Sequence, residues 1–248
     1  MAKKDKTIKF LCKSSDGLIT YTTDDKFIYA EKDGTTVRLD LFDEHYYKLR
    51  PVNGIPILEI DGLRMQLIRD FKTPLDYAKE VVRQLKIPTT GGSRFVLFDS
   101  CMGLGYTAIE AARHPSVKKV LTCELSNAVI KLAQWNPYSE LLFVESGKIY
   151  VTQTSSFDFI SKSSQNSFDF VIHDPPRFSH APELYSSEFY KELYRVSRPG
   201  ARLFHYVGSV GKESGRKIEV EVEKRLKENG FKNINHHSKL QGMVFEKP

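Results

Sequence analysis

Three acids, each closing an apolar run, are the residues in this chain best placed to do chemistry. Residues 96–98 (VLF) suit a strand buried on both faces of a sheet, and Asp99 ends it. Gly103 and Gly105 follow in a tight turn, and residues 107–112 (TAIEAA) are good helix formers. Twenty-five positions after Asp99, a second apolar run (residues 119–123, KVLTC) ends in Glu124. A later run, residues 168–172 (FDFVI), leads into His173-Asp174-Pro175-Pro176-Arg177-Phe178-Ser179. In doubly wound sheets a ligand sits outside the carboxyl ends of the strands, where a glycine turn lets backbone approach it. An acid ending the second strand can accept hydrogen bonds from both hydroxyls of a ribose. The pattern predicts a nucleoside-cofactor site.

What is missing narrows the cofactor. A dinucleotide site wants G-x-G-x-x-G at a helix N-terminus facing a pyrophosphate. Here the turn begins with Asp99 and carries Cys101 at the first glycine position. An acid there repels a pyrophosphate and suits a cationic ligand such as the amino group of a methionine moiety. The Asp174-Pro-Pro block leaves a carboxylate and stiffly held carbonyls at the strand mouth. Such acceptors can aim the lone pair of an attacking amine and receive its proton. Asp174 is therefore the expected catalytic residue, with His173 beside it. Pro175, Arg177 and Phe178 are expected to meet the acceptor.

These blocks resemble known families. Asp99 to Gly105, with Glu124, resembles the first motif of class I S-adenosylmethionine (SAM) methyltransferases. The Asp174 block resembles the Asp-Pro-Pro-Tyr motif of amino-methylating enzymes, with Arg177 in place of the aromatic, so that Phe178 or His180 would stack a flat substrate. Glu59-Ile-Asp-Gly, Thr73-Pro74, Cys101 to Ala108, His173 to Ser179 and the block from Glu183 to Arg195 resemble a largely uncharacterised group of predicted archaeal methyltransferases, over roughly residues 55–245. More distantly the chain looks like the spermidine synthases and the methyltransferase that finishes a tRNA wobble-uridine aminomethyl group. The resemblance implies an α/β, Rossmann-like, doubly wound seven-stranded methyltransferase sheet, SAM as cofactor, and methyl transfer to nitrogen, with RNA (tRNA) as the expected acceptor. Aminopropyl transfer from decarboxylated SAM to a polyamine, and a non-catalytic nucleic-acid-binding subunit, are the alternatives. Asp99, Cys101, Gly103, Gly105, Glu124 and Asp174 would hold the cofactor. Ser155 and Ser156 stand where many members carry an acid for the adenine amino group.

The elements that must position these groups are legible in part. Residues 1–70 read as a small β-rich domain, with hairpin dipeptides at Asp16-Gly17, Asp33-Gly34 and Asp61-Gly62; packing or edge cover is its expected role, and lidding the site or choosing the substrate the alternative. Residues 71–248 read as the cofactor domain. Thr73-Pro74-Leu75-Asp76 opens a helix, with threonine as N-cap and proline at the first helical position. Residues 127–135 read as a helix, 148–152 as the third strand, and 161–167 (SKSSQNS) as a polar loop. Residues 184–196 read as one helix carrying Tyr185, placed with the substrate. Residues 202–207 read as the fifth strand, with His205 in the core. A basic loop over 208–217 carries Lys212, Arg216 and Lys217, which would grip phosphate or simply be solvated. A helix over 218–229 and a reversed strand pair (231–234, 243–246) close the sheet.

Composition sets outer limits. The 248 residues can bury a large core, and 40% hydrophobic with 27% charged residues is ordinary for a globular protein. A net charge of +6 permits a phosphate-rich partner without demanding one. The three cysteines (Cys12, Cys101, Cys123) show neither metal-ligand spacing nor a disulfide framework, which suits a reducing cytoplasm and predicts no metal. No apolar run approaches a membrane span, so no membrane partner is expected. A monomer and a homodimer both remain open.

Overall fold

A computed structural model describes residues 10–14, 17–24, 26–92, 94–145, 147–208 and 212–248, with side chains from residue 19 and excluding those of residues 212–216. The chain begins with two four-stranded antiparallel sheets. The first holds β1 (Phe10–Ser14), β2 (Gly17–Thr23), β3 (Ile28–Lys32) and β4 (Thr35–Arg38). The second holds β5 (Asp40–Asp43), β6 (His45–Val52), β7 (Ile55–Ile60) and β8 (Leu63–Arg64). Asp33-Gly34 and Asp61-Gly62 take the paired left-handed conformations a two-residue hairpin turn requires (φ 51 and 75, 48 and 80). Asn53-Gly54 makes a third such turn, joining β6 to β7. Asp16 lies outside the described residues.

The rest is a seven-stranded sheet with helices on both faces. Its strands are β9 (Phe95–Asp99), β10 (Val117–Glu124), β11 (Ile149–Gln153), β12 (Phe168–His173), β13 (Ser197–Tyr206), β14 (Lys232–His237) and β15 (Gly242–Glu246). They lie in the order β11-β10-β9-β12-β13-β15-β14, parallel except for β15. The order reverses between β9 and β12, so the ends of those strands open a crevice. Alternation divides the core: Leu97, Phe170, Ile172, Phe204 and Val244 face the side that also packs the β sheets, and Phe98, Val171, Leu203 and Phe245 face the other.

The helices are α1 (Pro74–Gln84), α2 (Tyr106–Arg113), α3 (Asn127–Gln134), α4 (Ser156–Lys162), α5 (Ser187–Val196) and α6 (Lys212–Glu228). Thr73 caps α1 in a full capping box with Asp76. Three expectations change. The single helix over 184–196 breaks at Ser186, whose side chain caps α5, leaving Pro182–Tyr185 as a 3-10 turn. The loop over 161–167 begins inside α4, a helix too short to show a periodicity. The basic loop over 208–217 is largely the first turn and a half of α6. Among the described residues no helix is long and apolar enough to cross a membrane.

The two parts are tied at the crevice. The Tyr106 hydroxyl, at the start of α2, donates to the Pro56 carbonyl on β7 (2.6 Å) and accepts from Asn136 Nδ2 (3.0 Å). Asn136 also donates to Ser139 Oγ, which in turn donates to the Leu104 carbonyl in the glycine turn. One buried chain of hydrogen bonds thus runs from the β sheet to the turn.

Candidate functional site

The crevice forms a cleft of about 710 Å³ counted out to its open mouth, within the range of small-molecule sites. Its floor is the glycine turn. Gly103 and Gly105 both hold positive φ (52 and 75), and a side chain at Gly105 would collide with Leu142, whose Cδ1 lies 2.4 Å from where a Cβ would stand. Above Gly103 the space is open: the nearest atom to a built Cβ is Gln66 Nε2, at 3.8 Å. Backbone can therefore meet a ligand there.

Glu124 ends β10 at one side of this floor. Its Oε2 accepts from the Gly103 N–H and its Oε1 from the Ser126 N–H, each at 3.0 Å. Burial raises its pKa, and those backbone N–H groups pull the other way. The two bonds fix the carboxyl plane and leave further acceptor positions toward the cleft, where vicinal hydroxyls would fit. Asp174 lines the opposite side, past the end of β12. Burial pushes its pKa up to about 7. The Tyr77 hydroxyl faces it and offsets part of that shift, without closing a hydrogen bond of ordinary geometry.

Of the other expected residues, Cys101, Gly103, Gly105 and Pro175 line the cleft. Burial pushes the Cys101 thiol up, so it is a neutral wall rather than a nucleophile. Five expected residues lie elsewhere, for identifiable reasons. Asp99 is fully buried, and its carboxylate accepts from Thr107 Oγ1 (2.8 Å) and Thr122 Oγ1 (2.7 Å) instead of facing a cofactor. Ser155 caps α4, bonding Asp158. Ser156 is buried and donates to the Ser100 carbonyl. His173 is fully buried beneath the site. Its Nε2 donates to the Leu184 carbonyl (2.9 Å), which leaves Nδ1 to accept from Ser100 Oγ (2.6 Å). Burial lowers its pKa to about 4, so it stays neutral and orients the end of β12 rather than moving a proton. Tyr185 is buried too, and its hydroxyl donates to the Pro176 carbonyl (2.9 Å), bracing the Asp-Pro-Pro loop from behind.

Phe178 is 39% exposed and meets Tyr185 edge-on (centroids 5.6 Å apart), outside the cleft. Arg177 opens onto a neighbouring cavity. The side chains of Lys212 and Arg216 lie outside those described. His205 is fully buried, with Nε2 2.8 Å from the Tyr190 hydroxyl, as a core histidine should be. Among the described residues no group of acids, histidines and cysteines could hold a metal ion.

One wall comes from residues that sequence reasoning did not name for the site, on the domain whose alternative role was to lid it. Leu58 and Ile60 from β7, then Met65 and Gln66 just beyond β8, line the cleft, as do Pro74 and Tyr77 of α1. The β-rich domain therefore does more than cover an edge: it closes the cleft opposite the glycine turn. Gln66 is held in place by accepting from the Leu58 N–H (2.7 Å). The available signal was the hairpin itself, whose apolar stretch runs on past Arg64 into Met65-Gln-Leu-Ile, longer than an edge turn needs.

The lining matches the chemistry of a sulfonium nucleoside. Its only charged members among the described residues are Glu124 and Asp174, with no lysine or arginine. Two carboxyls around an otherwise apolar cleft suit a ligand with vicinal hydroxyls and positive charge.

Comparison with known proteins shows the family and the fold. The spermine/spermidine synthase domain matches residues 53–236. An uncharacterized protein of Methanocaldococcus jannaschii is 41% identical over 236 residues, covering 95% of this chain and 78% of that protein. Two spermidine synthase structures match 99% of this chain and 82% of their own at 15% identity. One is a complex with the transition-state analogue AdoDATO (TM-score 0.68) and the other is from Thermotoga maritima (TM-score 0.64). At that identity the likeness establishes the fold, including the N-terminal antiparallel domain. With a domain match across most of its length, the chain belongs to the spermine/spermidine synthase family.

Proposed function

We propose that this protein transfers an alkyl group from an S-adenosyl sulfonium cofactor to an amine nitrogen. The observation that carries the reading is the pairing of Glu124 and Asp174 across one cleft floored by the open backbone at Gly103. Glu124 accepts from the ribose hydroxyls, and the fixed N–H groups behind it hold it in the receiving orientation. The cofactor supplies an electrophilic carbon bound to positively charged sulfur. Asp174 and the carbonyls of the Asp-Pro-Pro loop hold the acceptor nitrogen with its lone pair aimed inward, while Tyr77 and the hairpin exclude water. As the nitrogen–carbon bond forms, the carbon–sulfur bond breaks and its electron pair stays on sulfur. The proton shed by nitrogen passes to an Asp174 oxygen, whose pKa of about 7 suits a base near neutrality.

The lining favours decarboxylated SAM as donor, and with it aminopropyl transfer, because no cationic side chain among the described lining residues meets a donor carboxylate. Methyl transfer is the second reading. It is supported by the rigid Asp174-Pro-Pro mouth. RNA as acceptor draws on Arg177 and on Lys217, which is exposed on α6. The test is transfer of radiolabel from each donor to a panel of amines and to bulk tRNA. Transfer from either donor to an amine, slowed at least tenfold by Asp174→Asn at unchanged donor affinity, supports the proposal. Labelled product at the parental rate from Asp174→Asn removes Asp174 from the chemistry.

A further inference from the structure

Beside the cleft lies a second cavity of about 800 Å³, counted in the same way. The two share Ile60, Met65, Pro175 and Pro176 as common wall, so the second opens from the Asp174 side, away from Glu124. A molecule presenting nitrogen to Asp174 would extend its remaining length into this space.

The charge there differs from that of the cleft. Arg64, at the end of β8, and Arg177, on the Asp-Pro-Pro loop, both line the cavity, and neither makes an ion pair among the described residues. The acid present is already engaged. Asp61 bonds His45 Nδ1 (2.5 Å) and accepts from the Tyr46 N–H (2.9 Å), and these contacts hold its carboxyl below the usual range. His180, which also lines the cavity, lies close enough to lower it further. A polyamine would bring a second positive charge into a cavity whose two guanidinium groups, Arg177 also meeting the Tyr206 hydroxyl, outnumber its single carboxylate. An anion would be met by their fork of N–H donors, the geometry that suits carboxylate and phosphate.

We propose that this cavity is an acceptor subsite for a small amine that also carries an anionic group, carboxylate or phosphate, with the nitrogen at Asp174 and the anion between Arg64 and Arg177. This rests on the alkyl-transfer reading for the role of Asp174, but the anion preference stands on the two arginines. It separates this chain's acceptor from a plain diamine while leaving the donor open.

Matched probes test it. Ornithine differs from putrescine by one carboxylate, and O-phosphoethanolamine from ethanolamine by one phosphate. Calorimetry on the full chain, with and without saturating S-adenosylhomocysteine, should show at least one anionic member binding about tenfold or more tighter than its partner. Which pair responds identifies the anion. The preference should fall about threefold in each of Arg177→Gln and Arg64→Gln and disappear in the double variant, with partial recovery in Arg177→Lys, while nucleoside affinity stays constant. Both arginines are exposed, so the variants should fold, and unchanged melting checks this. Equal or tighter binding of putrescine and ethanolamine, no binding of either anionic amine, or an undiminished preference in the double variant overturns the inference. Failure of the alkyl-transfer reading looks different: neither S-adenosylhomocysteine nor decarboxylated SAM binds, with the anion preference intact.

Discussion

Replacing Asp99 with asparagine separates a structural acid from a ligand-binding one. The Asp99 carboxyl is fully buried and its only strong partners are the hydroxyls of Thr107 and Thr122. Burial raises its pKa from 3.8 to about 7, with smaller contributions from the Asp174 and Glu124 charges. An acid whose folded pKa lies above its unfolded value binds more protons when folded. Its favourable contribution is complete below about pH 4 and is lost as pH rises toward 7. A shift of about three units corresponds to roughly 4 kcal/mol at most, and relaxation around the buried charge should reduce this to about 2 kcal/mol. An asparagine side chain in this position has the same shape and no charge to bury, and the threonine hydroxyls can rotate to satisfy its amide. Urea unfolding followed by circular dichroism between pH 5 and 8.5 should therefore show Asp99→Asn gaining about 2 kcal/mol on its parent across that range. Cofactor affinity should change by less than about threefold, a few tenths of a kcal/mol. The reasoning is refuted if the variant keeps the parental pH slope, or if it loses nucleoside binding while remaining folded.

Other perturbations address the site and its scaffold. Tyr106→Phe leaves the Pro56 carbonyl without its donor and Asn136 Nδ2 with Ser139 alone, and should cost about 1–3 kcal/mol in urea unfolding. Gly105→Ala drives a methyl group into Leu142 at positive φ and should lower stability by about 2 kcal/mol or more while weakening nucleoside binding; unchanged melting would contradict the turn geometry. The rate at subsaturating substrates should rise with pH through about 7 as Asp174 loses its proton, and Asp174→Asn should remove that limb of the profile. His173→Gln should cost stability rather than remove a pH-dependent step, since the ring is neutral and bonded at both nitrogens.

The parts of the site that one sequence segment builds alone were legible. The glycine turn, Glu124 and Asp174 each close a strand, and local spacing predicts where such residues stand. The seven-stranded order of the large sheet was implied by the resemblance and not by the alternation, which speaks only for parallel strands joined by helices. Asp99 was misread because a motif position says which residue stands there, not which neighbour claims its oxygens. The parallel register of β9 and β10 sets Thr122 opposite Asp99, and Thr107 reaches back from the first turn of α2. His173 and Tyr185 were misplaced similarly: both adjoin the Asp-Pro-Pro loop in sequence or space, but both point beneath it. Gln66, Met65 and Tyr77 were missed because they come from elements outside the motif blocks, and only packing of the β sheets onto the crevice brings them in. Lys212, Arg216 and Lys217 looked like a loop because a glycine and a serine interrupt the helical pattern at the start of α6.

The central claim is that the Glu124–Asp174 cleft binds an S-adenosyl sulfonium nucleoside, and calorimetry on the intact chain tests it most directly. SAM, decarboxylated SAM, S-adenosylhomocysteine and NAD would be titrated against the parent and Glu124→Gln. The account predicts saturable one-site binding of at least one sulfonium nucleoside and none of NAD. In Glu124→Gln that affinity should fall by about 1–3 kcal/mol at unchanged melting temperature, the loss expected when charge-assisted hydrogen bonds to the ribose become neutral ones. Binding of NAD in place of the adenosyl ligands, or sulfonium binding that Glu124→Gln leaves untouched, would contradict it.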